Sequence, residues 1–291
     1  MTEKSPSGSL RSLITVAVAG IVVVVLMATG CLGDQSSGAP VSPSQQITVT
    51  GSTTVLPIAE KAREAFEATQ TSASILVSGG GSSVGIKAVG EGTADIGMTS
   101  RDLKPEEVAG YPDLVRHHIA DDAILLIVHP ENTVNHLTLD QVRGIYNGTY
   151  TTWDQVGGSA RPIVVVGRDS ASGTREFFSE YVLAKEDFTR MQEEFNSNGG
   201  IQQKVSRTPG AIGYVGLGYT EGVKVLLLDV DGTAVEPTLE NITDGTYPVS
   251  RPLFMLTNGE PDGLMREYLD FIMSAEGQEI VASADYIPVQ S

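Results

Sequence analysis

The stretch ITVTGSTTVLPIAEKAREAFEATQTSASILVSG, residues 47–79, places a short β-branched run, a longer amphipathic segment and a second β-branched run in succession. Short β-branched runs predict strands, and apolar residues at helical spacing predict helices. The same alternation continues through AILLIVHP (123–130), and a second set leads to the helical segment PDGLMREYLDFIMSAEGQEIVASA (261–284). This order predicts an α/β protein with a largely parallel sheet that helices cover on both faces.

The length of the chain predicts two lobes. At 291 residues it is too long for one small core, and it fits two domains of roughly 150 residues each. We expect the chain to cross between the lobes in two apolar segments, 123–128 and 251–257. A cleft between two such lobes is the default location for a ligand.

Residues 1–31 have the pattern of an export signal. Two basic residues precede an uncharged apolar run at 13–28, and small residues lead up to Cys31. The run is shorter than the ~20 residues that span a bilayer. We expect cleavage directly before Cys31, which is then lipidated and becomes the new N-terminus; an uncleaved anchor helix and an ordinary signal with an idle thiol are the alternatives. Residues 32–46 are rich in Ser, Gly, Pro and Gln, which predicts a disordered linker.

The charge balance and the cysteine count each exclude a class of function. The chain has 19 Lys and Arg against 36 Asp and Glu, a net charge of −17. It therefore has no basic field that would gather nucleic acid. A single cysteine forms no internal disulfide and begins no Cys-based ligand set. We expect no nucleic-acid partner, no structural metal and no cofactor.

Three segments place glycine and hydroxyl residues directly after a predicted strand and before a predicted helix. They are GSTT (51–54), GGGSS (79–83) and RDSASGT (168–174). At such a junction the first helical turn has unpaired N–H groups and the positive end of the helix dipole, and glycine lets an anion approach the backbone. Each segment is a candidate oxyanion receptor. The alternative for any one of them is ordinary helix capping by Ser or Thr.

Arg168 brings a positive charge to the third segment. It ends the predicted strand and precedes Ser172 by four residues. Its planar guanidinium is therefore placed to bind two oxygens of one anion. The alternative is a surface ion pair with Asp169 or Glu176.

The sequence lacks the motifs that would favour an enzyme. It contains no G-x-x-x-x-G-K-[ST] phosphate loop, Ser172 does not lie in a G-x-S-x-G motif, and none of the four histidines has metal-ligand spacing. We therefore expect a binding protein without enzymatic activity. An exported phosphatase, which would use similar anion-binding segments but needs a nucleophile or a metal, is the alternative from a different class.

Taken in order, the motifs between residues 47 and 290 resemble those of one family. They are GSTTVLPIAE (51–60), SGGGSSVGIKAV (78–89), ADIGMTSRDL (94–103), LTLDQVRGIYNGTYTTWDQVGG (137–158), GRDSASGTREFF (167–178), TPGAIGYVGLGY (208–219) and SAEGQEIVASADYIPV (274–289). The chain resembles the phosphate-binding proteins of phosphate ABC transporters, in the type II periplasmic-binding superfamily. The resemblance implies two α/β lobes, with two mixed sheets flanked by helices and joined by two hinge strands.

The resemblance also implies a function and a location. Inorganic phosphate would be held between the lobes and passed to ABC permease subunits, with sulfate, molybdate and tungstate as alternative ligands of the same shape. Lobe I would comprise residues 47–128 and 252–291, and lobe II residues 129–251. We expect a monomer on the outer face of the cytoplasmic membrane, tethered at its N-terminus.

Carried over residue by residue, the resemblance implies a phosphate site built from the three segments and the end of the third strand. The implied ligands are Thr53, Thr54, Ser82, Ser100, Arg101, Arg168, Ser172, Gly173 and Thr174.

One position departs from the family pattern. Better-known members carry, after the Ser of the third strand, an Asp that accepts the proton of hydrogen phosphate; here Ser100 is followed by Arg101. Arg101 is either a second cation in the site or the partner of Asp95 or Asp102 outside it. The proton acceptor would then be Asp122 or Asp169.

Overall fold

A computed structural model of the protein describes residues 45–289. The predicted signal or anchor segment 1–31, with Cys31, lies outside the described residues, as does most of the predicted linker 32–46. The first strand begins at Gln45, so the linker prediction is wrong for its last two residues. Gln45 and Gln46 pair with Ala73 and Ser74 of the neighbouring strand.

Strands and helices alternate along the described chain as the apolar pattern predicts. In chain order they are β1 (Gln45–Gly51), α1 (Leu56–Thr69), β2 (Ala73–Gly79), α2 (Ser82–Gly90), β3 (Ile96–Thr99), α3 (Pro105–Gly110), β4 (Leu114–Ala123), β5 (Leu125–Val128), β6 (His136–Thr138), α4 (Leu139–Tyr146), a 3₁₀ turn (Trp153–Val156), β7 (Val164–Arg168), α5 (Gly173–Tyr181), β8 (Glu193–Phe195), α6 (Asn198–Arg207), β9 (Ala211–Val215), β10 (Lys224–Val230), β11 (Thr233–Val235), α7 (Leu239–Thr243), β12 (Ser250–Asn258), α8 (Gly263–Met273), α9 (Ala275–Ser283) and β13 (Ile287–Pro288).

The strands form two mixed sheets. The first has the order β13-β4-β12-β3-β1-β2, in which β1 runs parallel to β2 and β3 while β12 runs antiparallel to β3 and β4. The second has the order β11-β10-β5-β9-β7-β8, in which β7 is parallel to β8 and β9 while β5 is antiparallel to β9 and β10. Helices flank both sheets. The mixed sheets that the resemblance implies are confirmed, and the largely parallel sheet expected from the alternation is wrong.

Each sheet has its own apolar core. Helix α1 begins with Pro57 in its first turn, where a missing N–H costs nothing, and it buries Ile58, Ala62 and Phe66 against the first sheet. In the second core, the rings of Phe178 and Tyr214 stack with their centroids 4.1 Å apart. The polar segments that follow β1, β2 and β7 belong to neither of these two cores.

The chain passes between the sheets at two adjacent points. Strand β4 of the first sheet ends at Ala123 and β5 of the second begins at Leu125. The intervening Ile124 is buried, and its N–H donates to Val249 O at 2.9 Å, directly before β12 returns the chain to the first sheet. The changes of sheet therefore lie at 124 and 249, whereas the expected lobe boundaries were 128/129 and 251/252.

Within residues 45–289 no helix combines the length and the apolar character that crossing a membrane requires.

Candidate anion-binding site

The three Gly-Ser-Thr segments each join a strand to a helix. Residues 51–54 follow β1 and lead into α1, residues 79–83 connect β2 to α2, and residues 168–174 connect β7 to α5. The first two segments thus belong to the first sheet and the third to the second sheet. Their local chemistry differs, because the side chain of Ser172 caps α5 through Arg175 N at 3.1 Å, whereas no side chain caps α2.

The structure brings the three segments together across the two sheets. Ser83 N donates to Ala171 O at 3.1 Å, which joins the start of α2 to the loop before α5. The hydroxyl oxygens of Thr54 and Thr174 lie 3.1 Å apart. A Cβ added at Gly81 would lie 2.6 Å from Ala171 O, so the close approach needs glycine there. The φ angle of Gly81 is also +97°, a conformation that favours glycine.

The predicted hydroxyl residues are buried. Thr54 and Ser82 are fully inaccessible to solvent, and the other predicted side chains are almost as buried: Thr53, Ser100, Arg101, Arg168, Ser172 and Thr174. Ser82 Oγ accepts from Ser100 N at 3.1 Å and lies 3.3 Å from Ser100 Oγ. Buried polar side chains are costly unless they have partners, so a cluster of this size indicates a site built for polar contacts.

Asn198 and Tyr219 join the cluster from the second sheet, and the sequence analysis missed both. Asn198 begins α6 and is completely buried. Its Nδ2 donates to the hydroxyls of Thr53 at 3.2 Å and Thr54 at 3.0 Å. The Tyr219 hydroxyl donates to Thr53 O. A signal for Asn198 existed in the segment Ser-Asn-Gly-Gly at 197–200, which has the small polar composition of the three recognised segments.

Arg251 is a further buried cation that the sequence analysis did not single out. It pairs with Asp122 on the adjacent strand, with Nη2 2.9 Å from Oδ2, and neither side chain is exposed. Arg251 Nη2 also donates to Thr54 Oγ1 at 3.3 Å and to Thr174 Oγ1 at 2.9 Å. Burial raises the pKa of Asp122, although Arg251 and the N–H of Leu217 oppose the shift.

Arg168 lies at the end of β7, as expected, and its guanidinium is held by backbone carbonyls. Nε donates to Phe195 O at 3.3 Å and Nη2 to Asn196 O at 3.1 Å. Nη1 makes no hydrogen bond within residues 45–289. Burial lowers the pKa of Arg168. The alternative of a surface ion pair with Asp169 or Glu176 is wrong, because the described structure places neither carboxylate within ion-pair distance of this guanidinium.

Arg101 makes contacts that neither of its expected roles included. Its Nη1 and Nη2 each lie 2.7 Å from a carboxylate oxygen of Glu107, and its Nε lies 2.9 Å from Glu176 Oε2. Although burial disfavours the charge, these carboxylates outweigh it and raise the pKa of Arg101. Pairing with the carboxylates of Asp95 or Asp102 is therefore wrong. Both Nη atoms are taken up by Glu107, whereas Nε is buried and makes no hydrogen bond within residues 45–289, although Glu176 lies near it.

The two candidates for a proton acceptor occupy different settings. Both oxygens of Asp122 already accept hydrogen bonds: Oδ2 accepts from Arg251 and Oδ1 accepts from Leu217 N at 2.9 Å. Oδ1 of Asp169 is buried and has no hydrogen-bond partner in residues 45–289. The same part of the chain holds no group of three or more His, Cys, Asp or Glu residues arranged to bind a metal ion. Asp169, next to Arg168, is thus the carboxylate with a free acceptor.

Comparisons with known proteins identify relatives of the chain. The family described as the PBP superfamily domain matches residues 37–276. Among curated proteins, the phosphate-binding protein PstS of Bacillus subtilis is 33% identical over 247 residues, which cover 84% of this chain and 81% of that protein. The phosphate-binding protein PstS of Pseudomonas aeruginosa is 32% identical, over 84% of each chain.

Solved structures give the same result. A substrate-binding protein from Clostridium perfringens, solved with bound phosphate, is 40% identical with a TM-score of 0.79, over 84% of this chain and all of that one (100%). An ABC-type phosphate transport receptor from Vibrio cholerae is 31% identical with a TM-score of 0.68, over 84% of this chain and 100% of that one.

Proposed function

The chain belongs to the phosphate-binding proteins of ABC transporters within the PBP superfamily, and from that premise we propose that it captures inorganic phosphate between its two sheets. The observation that carries this proposal is the meeting of the three Gly-Ser-Thr segments. Thr54 from the first and Thr174 from the third lie within 3.1 Å of each other. The similar C. perfringens protein, at 40% identity, was solved with phosphate.

We propose that the ligands come from both sheets. On the first sheet they are Thr53, Thr54, Ser82 and Ser100, and on the second Ser172, Gly173 and Thr174. Hydroxyl groups and the N–H groups at helix starts would donate to the phosphate oxygens. Arg168 would supply the positive charge through its own Nη1, which makes no hydrogen bond within residues 45–289. We omit Arg101 from this set because both of its Nη atoms donate to Glu107 and the carboxylate of Glu176 lies 2.9 Å from its Nε.

Proton discrimination would then fall to Asp169. Hydrogen phosphate carries a proton that a carboxylate can accept, whereas fully ionised sulfate carries none. Asp169 Oδ1 is buried without a partner in the described part of the chain, and it is adjacent to Arg168 in sequence. Asp122 is less suited to this role because its oxygens already accept from Arg251 and Leu217.

The net charge of −17 does not oppose anion binding. At physiological salt, interactions between exposed charges fade over about 8 Å. Donors inside a buried cluster act at about 3 Å in a lower dielectric, where their attraction is far stronger. Hydrogen bonds to charged groups contribute about 1.5–3 kcal/mol each. Several local donors therefore outweigh the distant acidic surface.

We propose that the protein acts as a monomer outside the cytoplasmic membrane, tethered by lipid on Cys31 or by an uncleaved anchor, and delivers phosphate to ABC permease subunits. The support is the sequence pattern of residues 1–31 and the family membership. Members of this family are substrate-binding proteins. We accordingly propose that the chain has no enzymatic activity, and release of phosphate from an aryl phosphate ester by the purified protein would contradict this.

Calorimetric competition tests the ligand. The full chain, dialysed exhaustively to remove bound anions, is titrated with phosphate in the absence and presence of excess sulfate, at pH 6 and at pH 8. We expect one phosphate per chain and an affinity that sulfate changes little at either pH. Equal displacement by sulfate at both pH values would overturn the assignment to phosphate. The same titration with molybdate and tungstate covers the other tetrahedral anions.

A further inference from the structure

One guanidinium nitrogen of Arg251 contacts hydroxyl groups from both sides of the site. Nε and Nη2 both donate to Asp122 Oδ2, at 3.1 and 2.9 Å. This double contact uses one of the two hydrogens of Nη2. The other hydrogen faces Thr54 Oγ1 at 3.3 Å and Thr174 Oγ1 at 2.9 Å. The guanidinium that pairs with Asp122 thus also contacts one threonine from each sheet.

The hydrogen bonds around Thr54 determine which way its hydroxyl points. A hydroxyl oxygen accepts up to two hydrogen bonds and donates one. Thr54 Oγ1 receives Arg251 Nη2 and, at 3.0 Å, Asn198 Nδ2. Since both acceptor positions are filled, its own hydrogen must be donated. Thr174 Oγ1, at 3.1 Å, is the acceptor within reach.

The direction at Thr54 then fixes the direction at Thr174. Thr174 Oγ1 accepts from Arg251 and from Thr54, which fills its acceptor positions as well. Its hydroxyl hydrogen meets no acceptor among residues 45–289. Thr174 lies in the first turn of α5, beside the N–H groups of the third segment. The structure therefore leaves it able to donate and unable to accept.

We propose that Arg251 is a positioning residue which, together with Asn198, orients the chain of hydrogen bonds from Thr54 to Thr174 to the bound anion. This inference rests on the proposed phosphate site. Donors aligned in one direction polarise one another and strengthen the final bond. The cation of Arg251 at the start of this series of hydrogen bonds and the anion at its end both favour the same orientation of the hydroxyl groups. Arg251 would thus affect phosphate binding through the hydroxyl group of Thr174.

A paired substitution separates this role from the ion pair. In Asp122→Asn/Arg251→Gln, the amide nitrogen of the new side chain occupies the place of Arg251 Nε, so a bond to residue 122 is kept. It does not extend to the place of Nη2, so Thr54 and Thr174 lose their donor. Because one acid and one base are both neutralised, the net charge is unchanged. The second variant, Thr174→Val, removes the end of the hydrogen-bond chain at nearly constant volume.

The test measures phosphate affinity by calorimetry in all four combinations of these changes. We expect the paired substitution to weaken binding about 10- to 100-fold in the natural background, the value of one hydrogen bond to a charged group. In the Thr174→Val background we expect the paired substitution to weaken binding less than ~3-fold, because the series of hydrogen bonds from Thr54 to the anion is already interrupted. A merely structural role would give the same loss in both backgrounds, and that result, or no loss in either, would overturn the inference.

Melting temperatures without ligand check that each variant is folded. Should the paired variant not fold, Arg251→Lys replaces it in the same cycle, since lysine keeps the charge opposite Asp122 but lacks the forked geometry that serves three acceptors at once. The natural chain serves as the control for function. If it binds no phosphate, the proposed function fails; if it binds phosphate and the cycle shows no coupling, only the role of Arg251 fails.

Discussion

Arg101 Nε, beside the first sheet, lies 2.9 Å from Glu176 Oε2, on the helix that follows β7 of the second sheet. Lys104 Nζ lies 3.0 Å from the other oxygen of the same carboxylate. Glu176 is on α5, one turn from the third Gly-Ser-Thr segment. A single carboxylate therefore connects helix α5 beside the second sheet to two cations beside the first sheet, so the ion pairs form only when the sheets are close.

Replacing Glu176 tests this connection. We expect Glu176→Gln to weaken phosphate binding about 2- to 5-fold, because ion pairs with partial exposure contribute at most ~1 kcal/mol. We expect this loss of affinity to be smaller at high salt, where the ion pairs of the natural chain are screened. Calorimetry at low and high ionic strength measures it. The matched control is Glu180→Gln on the same helix. Its partner Lys185, five residues further along, has Nζ 3.1 Å from Glu180 Oε1. Equal effects of the two substitutions would show that Glu176 does not hold the sheets together.

Gly81 tests the contact between the segments. In Gly81→Ala the new Cβ would lie 2.6 Å from Ala171 O, so the segments must separate. We expect phosphate binding to weaken at least ~10-fold. Gly92→Ala is the control, because Gly92 also has a positive φ (+68°) but nothing lies within 4 Å of its would-be Cβ. We expect it to lower the melting temperature and to leave phosphate affinity unchanged; a large loss of affinity in this control would remove the support for a steric cause.

Arg168 tests the source of positive charge. Arg168→Ala should weaken phosphate binding at least ~100-fold, because a charged donor is lost inside a buried cluster. It should also lower the melting temperature without ligand, since Phe195 O and Asn196 O lose their donor. Arg143→Ala provides the comparison: Arg143 Nε donates to Val182 O at 3.0 Å, away from the segments. Calorimetry that finds phosphate affinity retained in Arg168→Ala would exclude this residue from the site.

The ion pair between the two crossing strands predicts a pH dependence of stability. Burial raises the pKa of Asp122 above its unfolded value. The folded protein therefore holds this proton more tightly than the unfolded chain, and stability falls as pH rises between the two pKa values. Arg251→Gln removes the charge that opposes the shift, so the folded pKa rises further and the fall extends to higher pH.

We expect Arg251→Gln to lower the free energy of unfolding by about 3–5 kcal/mol near neutral pH, and by less at pH 5. Thermal unfolding without ligand at pH 5 and pH 8 measures the difference. Asp122→Asn/Arg251→Gln is the control: residue 122 has no carboxylate to titrate there, so the stability of this variant should lack the fall with pH that Asp122 causes. A deficit in Arg251→Gln that does not grow with pH would contradict the prediction.

The sequence predicts the strand and helix order well where apolar periodicity is strong. The runs that became β1, α1 and β2 are read directly from residues 47–79. Strand β4 was not recognised, because its central part carries His117, His118, Asp121 and Asp122 and lacks an apolar pattern. It is nonetheless an interior strand, since β12 pairs with it along its whole length and β13 pairs with Ala120 and Asp121 on its other edge. Long-range pairing supplied what local composition did not show.

The residues of the candidate site also fall into those that local sequence reveals and those that it does not. Residues adjacent to helix starts were found, because glycine and hydroxyl residues at those positions are a local signal. Arg251 was missed because it is a single charge within a run assigned to crossing between the lobes, and its partner Asp122 is 129 positions away. Arg101 was recognised as unusual from the sequence, but its contact with Glu176 depends on how the two sheets face each other. Contacts of this kind are visible only in three dimensions.

The passage of both strands through one place limits how the protein can move. Ile124 N donates to Val249 O, and the hydroxyl of the buried Tyr247 donates to Ile124 O, each at 2.9 Å. Two chain segments bonded to each other cannot slide past one another without breaking those bonds, so any opening is a swing about a line through residues 124 and 249. Every point then travels an arc proportional to its distance from that line, and dye pairs placed far from it, on outward faces of α1 and α4, would report opening with the largest signal.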